Sequence, residues 1–255
     1  MSDYPQLLHG KKIIVTGAAR GLGRSFAEAI AQAGAEVVMA DILVDVLQSE
    51  VELLQEKGLA VFGTSLDLAN RDSICAAVDF AQEKMSGIDG LINCAALATG
   101  VGGKDMMDYD SDLWDRVMTV NVKGTWLMTQ ACVPYLKQSK AGKIVNIASD
   151  TALWGAPKLM AYVASKGAIL SMTRSMAREL GEFNICVNTI SPGLTLVEAT
   201  EYVPEQRHQQ YVTGRAIQRP QHPDDLNGTA LYLLSDLASF VTGQNIPVNG
   251  GFVFN

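Results

Sequence analysis

Lys12-Ile13-Ile14-Val15-Thr16-Gly17-Ala18-Ala19-Arg20-Gly21-Leu22-Gly23 decides the fold of this chain. Lys12–Thr16 reads as a strand, because a short β-branched run suits a pleated surface buried on both faces. The next residues run G-x-x-x-G-x-G, with Gly17, Gly21 and Gly23 at the fixed points. Glycines let the backbone turn tightly and approach a phosphate closely. A helix starting near Gly21 would add free N–H groups and a partial positive charge at its N-terminus. The stretch predicts a strand–turn–helix unit with a pyrophosphate cradle. An ordinary tight turn is the alternative it leaves open.

The alternation continues along the chain. The helix from about Gly21 to Ala33 leads to a strand at Glu36–Ala40, a helix at Leu43–Lys57, a strand at Ala60–Thr64 and a helix at Arg71–Met85. Gly90–Asn93 reads as a fourth strand. A long helical stretch from about Ser111 to Lys137 precedes the strand Lys143–Ala148. A second long helix, from about Lys158 to Gly181, precedes the strand Ile185–Ile190. Asp224–Ser235 reads as a helix and Asn245–Val248 as a last strand. Such βα repetition predicts right-handed crossovers and an α/β fold: a Rossmann-like, doubly wound parallel sheet with helices on both faces. No linker, repeat or compositional break divides the chain, so residues 1–255 are expected to form a single domain. Two irregular segments, Leu97–Asp110 and Gly193–Arg219, follow strand ends. Open parallel sheets place their ligands there. Residues 193–219 are expected to act as a substrate loop or lid.

Of the 255 residues, 48% are apolar and 18% charged, which supplies a sizeable core and argues against disorder. The net charge of −7 argues against nucleic acid, whose phosphates call for basic patches. Cys75, Cys94, Cys132 and Cys186 are scattered with no ligand spacing, as expected of reduced thiols in a cytoplasmic protein without a metal site. The polar start, Met-Ser-Asp-Tyr-Pro-Gln, is unlike a signal peptide. No apolar run has the length of a membrane span.

Asp41 ends the second strand, 18 residues after Gly23. A carboxylate there can accept hydrogen bonds from both adenosine ribose hydroxyls, and it would repel a 2′-phosphate. It favours NAD over NADP. Arg20, in the glycine turn, argues weakly the other way, and a helix N-cap is the plainer role for Asp41. Tyr162 and Lys166 stand four residues apart on the expected second long helix, one turn apart on one face. A lysine so placed is expected to lower the tyrosine pKa toward that of a useful general base.

These residues together resemble the short-chain dehydrogenase/reductase family over nearly the whole chain, from Lys12 to Gly251. Gly17, Arg20, Gly21, Leu22 and Gly23 lie in the family's T-G-x-x-x-G-x-G turn. Asp41 and Ile42 fall at the adenosine end, and Asp67-Leu68 resembles the adenine-contacting pair. Asn93-Cys94-Ala95-Ala96 matches N-N-A-G in part, with Cys94 for Asn and Ala96 for Gly; Asn93 and Ala95 are expected along the cofactor path. Asn121 falls at the proton-relay asparagine, and Ser149, 13 residues before Tyr162, at the catalytic serine. Pro192-Gly193 resembles the turn behind the nicotinamide, and Thr195 is the candidate carboxamide contact. Val248-Asn249-Gly250-Gly251 matches the family's ending, with Asn249 where Asp is usual.

The resemblance implies hydride transfer between a carbinol carbon and nicotinamide. Tyr162 would handle the proton, Ser149 would polarise the substrate oxygen, Lys166 would hold the ribose, and Asn121 would hold a relay water. Leu97, Thr151, Leu153, Trp154, Leu194 and Tyr202 are candidate substrate contacts, mostly apolar. Such a set suits a small hydrophobic alcohol or ketone. An NADPH-dependent 3-oxoacyl-thioester reductase is a rival enzyme reading, opposed by Asp41-Ile42. A non-catalytic NAD(H)-binding regulator is a rival of another class, opposed by the presence of Ser149, Tyr162 and Lys166 together. The family's long helices pair across subunits, which implies a homotetramer, or failing that a dimer.

Overall fold

Seven strands build one parallel sheet: β1 (Lys12–Thr16), β2 (Glu36–Asp41), β3 (Val61–Ser65), β4 (Gly90–Asn93), β5 (Lys143–Ile147), β6 (Cys186–Pro192) and β7 (Asn245–Val248). Their order is β3-β2-β1-β4-β5-β6-β7. The computed structural model describes residues 6–254. Successive strand residues point to opposite faces, and both sets are buried. Ile13 and Val15 pack under α1 (Gly21–Gln32), α2 (Val44–Glu56) and α9 (Asp224–Leu234), through Phe26, Ile30, Val51 and Leu231. Ile14 and Val38 pack under α3 (Arg71–Met85), α5 (Thr125–Leu136) and α7 (Met160–Leu180), through Ile74, Val78, Met128 and Ala177. Burying a strand on both faces is what its unbroken β-branched run encodes.

The strand order reverses between β1 and β4, which opens a crevice at the carboxyl ends of the strands. The register aligns those ends: Thr16 lies beside Ala40, Asn93 beside Asn146, and Ile147 beside Ile190. A buried polar chain braces this edge. Asn93 Nδ2 donates to Thr129 Oγ1 (3.1 Å) and Asn146 Oδ1 (2.8 Å). Asn146 Nδ2 donates to Thr173 Oγ1 at 2.9 Å, which also accepts from Thr189 Oγ1 at 2.8 Å.

The helical stretch expected from about Ser111 to Lys137 is helical from Ser111 to Leu136, with α4 (Ser111–Met118) joined to α5 through a π-turn (Thr119–Gly124). Two further helices, α6 (Thr151–Trp154) and α8 (Glu205–Gly214), lie after β5 and within the expected lid.

Candidate active site

The nucleotide end is built on close backbone approach. Gly17 has φ +70°, and a Cβ there would stand 2.7 Å from Ala95 Cα. A Cβ on Gly23 would stand 2.1 Å from the Gly17 carbonyl oxygen. The turn is therefore tied to glycine by sterics. Thr16 joins the turn to the loop after β4, since its Oγ1 accepts from the Cys94 and Ala95 amides, both at 3.1 Å. At the N-terminus of α1, Arg20 is the cap residue and its side chain makes no capping bond. The first N–H groups of that helix have no side-chain acceptor at the cap, and this is the donor set a pyrophosphate takes. Arg20 itself is exposed and Leu22 is half-buried against the core.

Asp41 is buried at the end of β2. Its Oδ2 accepts from the Ala19 amide (2.9 Å) and its Oδ1 from the Leu43 amide (3.0 Å). The carboxylate thus knits the glycine turn to its own strand exit rather than capping α2, whose cap residue is Leu43. Each oxygen keeps acceptor capacity. Ile42, next to it, is 61% exposed. Asp67 closes a turn onto Ala69 N (2.8 Å), and Leu68 is buried beside it. The sterically fixed turn, the uncapped helix start and the acceptor at Asp41 fit an adenine dinucleotide.

Across the crevice, Ser149 follows β5, and Tyr162 and Lys166 project from α7. Ser149 stands within hydrogen-bonding reach of the Tyr162 phenol. Lys166 is buried, its Nζ donates to the Ile147 carbonyl at 2.7 Å, and it lies 5.6 Å from the Tyr162 ring centroid. Burial brings Lys166 down to about 8. Burial also pushes the Tyr162 phenol up, against the downward pull of its hydrogen bond from Ser149. The lowering expected from Lys166 is opposed here: its ammonium is turned onto the Ile147 carbonyl, and burial, the largest influence on the phenol, favours the protonated form.

Asn121 lies in the π-turn and is buried. Its Oδ1 accepts from Leu97 N (2.7 Å), and its Nδ2 donates to Leu97 O (3.2 Å) and Ser165 Oγ (3.1 Å). One amide hydrogen thus pins the loop after β4 and the other ties the π-turn to α7, so both side-chain donors are engaged. Leu97 and Tyr162 pack at the edge of a small cluster formed by Val101, Val117 and Ala161.

Pro192 ends β6 and Gly193 follows it, with Gly193 N donating to Val248 O at 3.2 Å. Thr195 is buried with its hydroxyl on the Gly193 carbonyl (3.1 Å). The segment from Gly193 then passes over the crevice. Val197 and Glu198 lie against Gly21, and Tyr202 Oη donates to Ala98 O at 2.7 Å. Thr151 touches Ser149 directly, with Oγ1 to Oγ at 2.9 Å. Leu153 is half-buried, and Leu194 offers its carbonyl to Arg215 Nη2 at 2.8 Å. Trp154 packs in an aromatic group beyond Ser149. It meets Phe252 edge-on, and its Nε1 donates to Tyr211 Oη at 3.2 Å. Tyr211 in turn donates to Asp150 Oδ1 at 2.9 Å. Burial pushes the Asp150 carboxyl up to about 6, opposed by its hydrogen bonds from Tyr211 and Asn249. Sequence reasoning missed Thr16, Asp150, Tyr211 and Asn249 as parts of this frame. An acidic residue directly after Ser149 was the available signal.

Comparison with known proteins places this geometry. A family model described as enoyl-(acyl carrier protein) reductase matches residues 17–253. A 3-oxoacyl-(acyl-carrier-protein) reductase of Thermotoga maritima is 35% identical over 246 residues, covering 96% of this chain and 99% of that protein. A cyclopentanol dehydrogenase of Comamonas testosteroni is 31% identical over 250 residues, 97% of this chain and 99% of that one. The solved structure of a short-chain type dehydrogenase/reductase from Mycobacterium marinum superposes with a TM-score of 0.90 at 29% identity, covering 98% of both chains. With its parallel sheet, glycine turn and Ser149–Tyr162–Lys166 grouping, the chain belongs to the short-chain dehydrogenase/reductase family.

Proposed function

We propose that this oxidoreductase interconverts a hydrophobic secondary alcohol and its ketone with NAD(H), through Ser149, Tyr162, Lys166 and Asn121. The observation that carries the reading is the grouping of Ser149 and Tyr162 across one crevice from the Asp41 carboxylate bonded to Ala19. When bound, a nicotinamide cofactor supplies the hydride acceptor or donor. Gly17, Gly21, Gly23, Asp41 and the start of α1 hold its adenosine and pyrophosphate. Lys166, Pro192, Gly193 and Thr195 hold its nicotinamide half.

Ser149 donates to the substrate oxygen and stabilises charge developing there. Tyr162 exchanges the proton of that oxygen. Its phenol form is favoured, which suits proton donation to a ketone near neutral pH. Alcohol oxidation then rises with pH as Tyr162 deprotonates. Asn121 fixes Leu97, and with it the loop wall beside Tyr162. Leu97, Leu159 and Tyr109 pack in the same cluster as Tyr162, so one side of its ring is apolar. Residues 193–219 form the lid of a single domain, and the assembly is a homotetramer in the cytoplasm.

The test is nicotinamide absorbance with NAD⁺ or NADP⁺ and a panel of secondary alcohols led by cyclopentanol. NAD⁺-dependent turnover is expected. Tyr162→Phe should lower kcat by about a hundredfold or more while NAD⁺ binding stays nearly intact. Near-normal turnover in that variant overturns the assignment. Similarity to the Thermotoga maritima reductase favours a second reading, reduction of a 3-oxoacyl thioester. Faster turnover of an acetoacetyl thioester with NADPH than of any alcohol with NAD⁺ would select it.

A further inference from the structure

Ser149 has one proton and two lone pairs on Oγ, and what occupies the lone pairs decides where the proton points. The Thr151 amide donates to Ser149 Oγ at 3.3 Å, a direction fixed by the backbone. Thr151 Oγ1 also bonds Ser149 Oγ, at 2.9 Å. Both side chains are buried. With the Thr151 hydroxyl proton directed to Ser149, both lone pairs of Ser149 are filled. Its own proton is left for Tyr162 and the substrate oxygen.

Resting on the reading of Tyr162 as the proton-exchanging group, we infer that Thr151 is a positioning residue that locks Ser149 as a hydrogen-bond donor. The relay runs Thr151 Oγ1–H to Ser149 Oγ–H to Tyr162 Oη. It stabilises negative charge at its far end, on the Tyr162 phenolate or on the oxygen formed as the carbinol loses its proton. Hydrogen bonds in such a chain polarise one another in a buried setting. The α6 helix begins at Thr151, which fixes this side chain two residues beyond Ser149. Other groups face Tyr162 as well: Lys166 from its own helix, Cys94 from the loop after β4, Asp150 beside Ser149, and Tyr202 from the segment over the crevice. None of them touches Ser149 Oγ in the way Thr151 does. The titration of the site should therefore respond to Thr151 specifically.

The experiment compares Thr151→Val, which keeps the shape and removes the hydroxyl, with Thr151→Ser, which restores it. Losing one neutral hydrogen bond predicts kcat about five- to tenfold lower in Thr151→Val near neutral pH, with KM little changed. The ascending limb of kcat for alcohol oxidation should move to higher pH, so the deficit shrinks as pH rises. Thr151→Ser should recover both the rate and the profile. A folded, NAD⁺-binding Thr151→Val with the wild-type pH profile overturns the inference. So does a Thr151→Ser variant that is folded yet as slow as Thr151→Val, because the residue would then act by packing. Tyr162→Phe in the same assay separates the two levels: activity there sinks the proton role itself. If no alcohol turns over, the tyrosinate absorbance lost on Tyr162→Phe, titrated with and without Thr151→Val, reads the phenol directly. An unchanged titration again overturns the inference.

Discussion

At the scale of single residues, the site is governed by desolvation as much as by charge. Asp41 spans the glycine turn and its own strand exit through two backbone amides, which fixes the carboxylate that the proposed function sets against the ribose. Asp41→Ala removes both the charge and the tie. The ratio of kcat/KM for NAD⁺ over NADP⁺ should fall by at least about tenfold, the scale of one charged hydrogen bond. An unchanged ratio would place the ribose contact elsewhere. Asp150 makes the complementary case. Burial raises its carboxyl to about 6, so the folded chain holds that proton more tightly than the unfolded one. The resulting stabilisation is complete below about pH 4 and is lost as pH rises through about 6, by roughly 3 kcal/mol at most. Asp150→Asn should flatten the fall of Tm between pH 4 and pH 6. A slope identical to wild type would mean that another buried group titrates there.

At the scale of elements, β1, β4 and β7 begin and end where the sequence places them, because short apolar runs between turn residues mark strands buried in a parallel sheet. The glycine spacing likewise announced the β1–α1 turn. The π-turn that seats Asn121 was not legible. One extra residue per turn leaves the apolar pattern of Ser111–Lys137 nearly unchanged, and only the contacts with Leu97 and Ser165 reveal it. Helix α6 escaped because four residues show no period. The Asn93–Asn146–Thr173 chain escaped because its members lie far apart in sequence and meet only through strand register and the packing of α7 on the sheet. The turn itself offers the sharpest test at this scale. A Cβ at Gly23 would stand 2.1 Å from the Gly17 carbonyl, so Gly23→Ala must displace backbone rather than a side chain. A loss of about 1–3 kcal/mol in stability is expected, the usual cost of overpacking. NAD⁺ affinity, read by calorimetry, should fall in step. Binding that survives such a shift unchanged would rule out this turn as the phosphate cradle.

At the scale of the whole molecule, the π-turn links the site to an outer face. Asn121 points inward to Leu97, while Thr119, Val122 and Lys123 border a surface groove of about 790 Å³ between the α4–α5 stretch and α7. Met118, Met172 and Met176 line the same groove, and Trp126 stands 47% exposed in it. An apolar groove with a half-exposed tryptophan on the two long helices is the face on which the proposed homotetramer would pair. Covering it would bury the outer side of the turn whose inner side holds the loop beside Tyr162, so assembly and activity should be coupled. Trp126→Glu places a charge where that packing must be dry, beside Asp115 and Glu179, with Lys123 as the cation among the described lining residues. Light scattering should then show species smaller than the wild-type assembly, and kcat should fall together with the loss of assembly. A variant that keeps the wild-type mass would exclude this face as the subunit contact. One that dissociates with full activity would break the proposed coupling through Asn121.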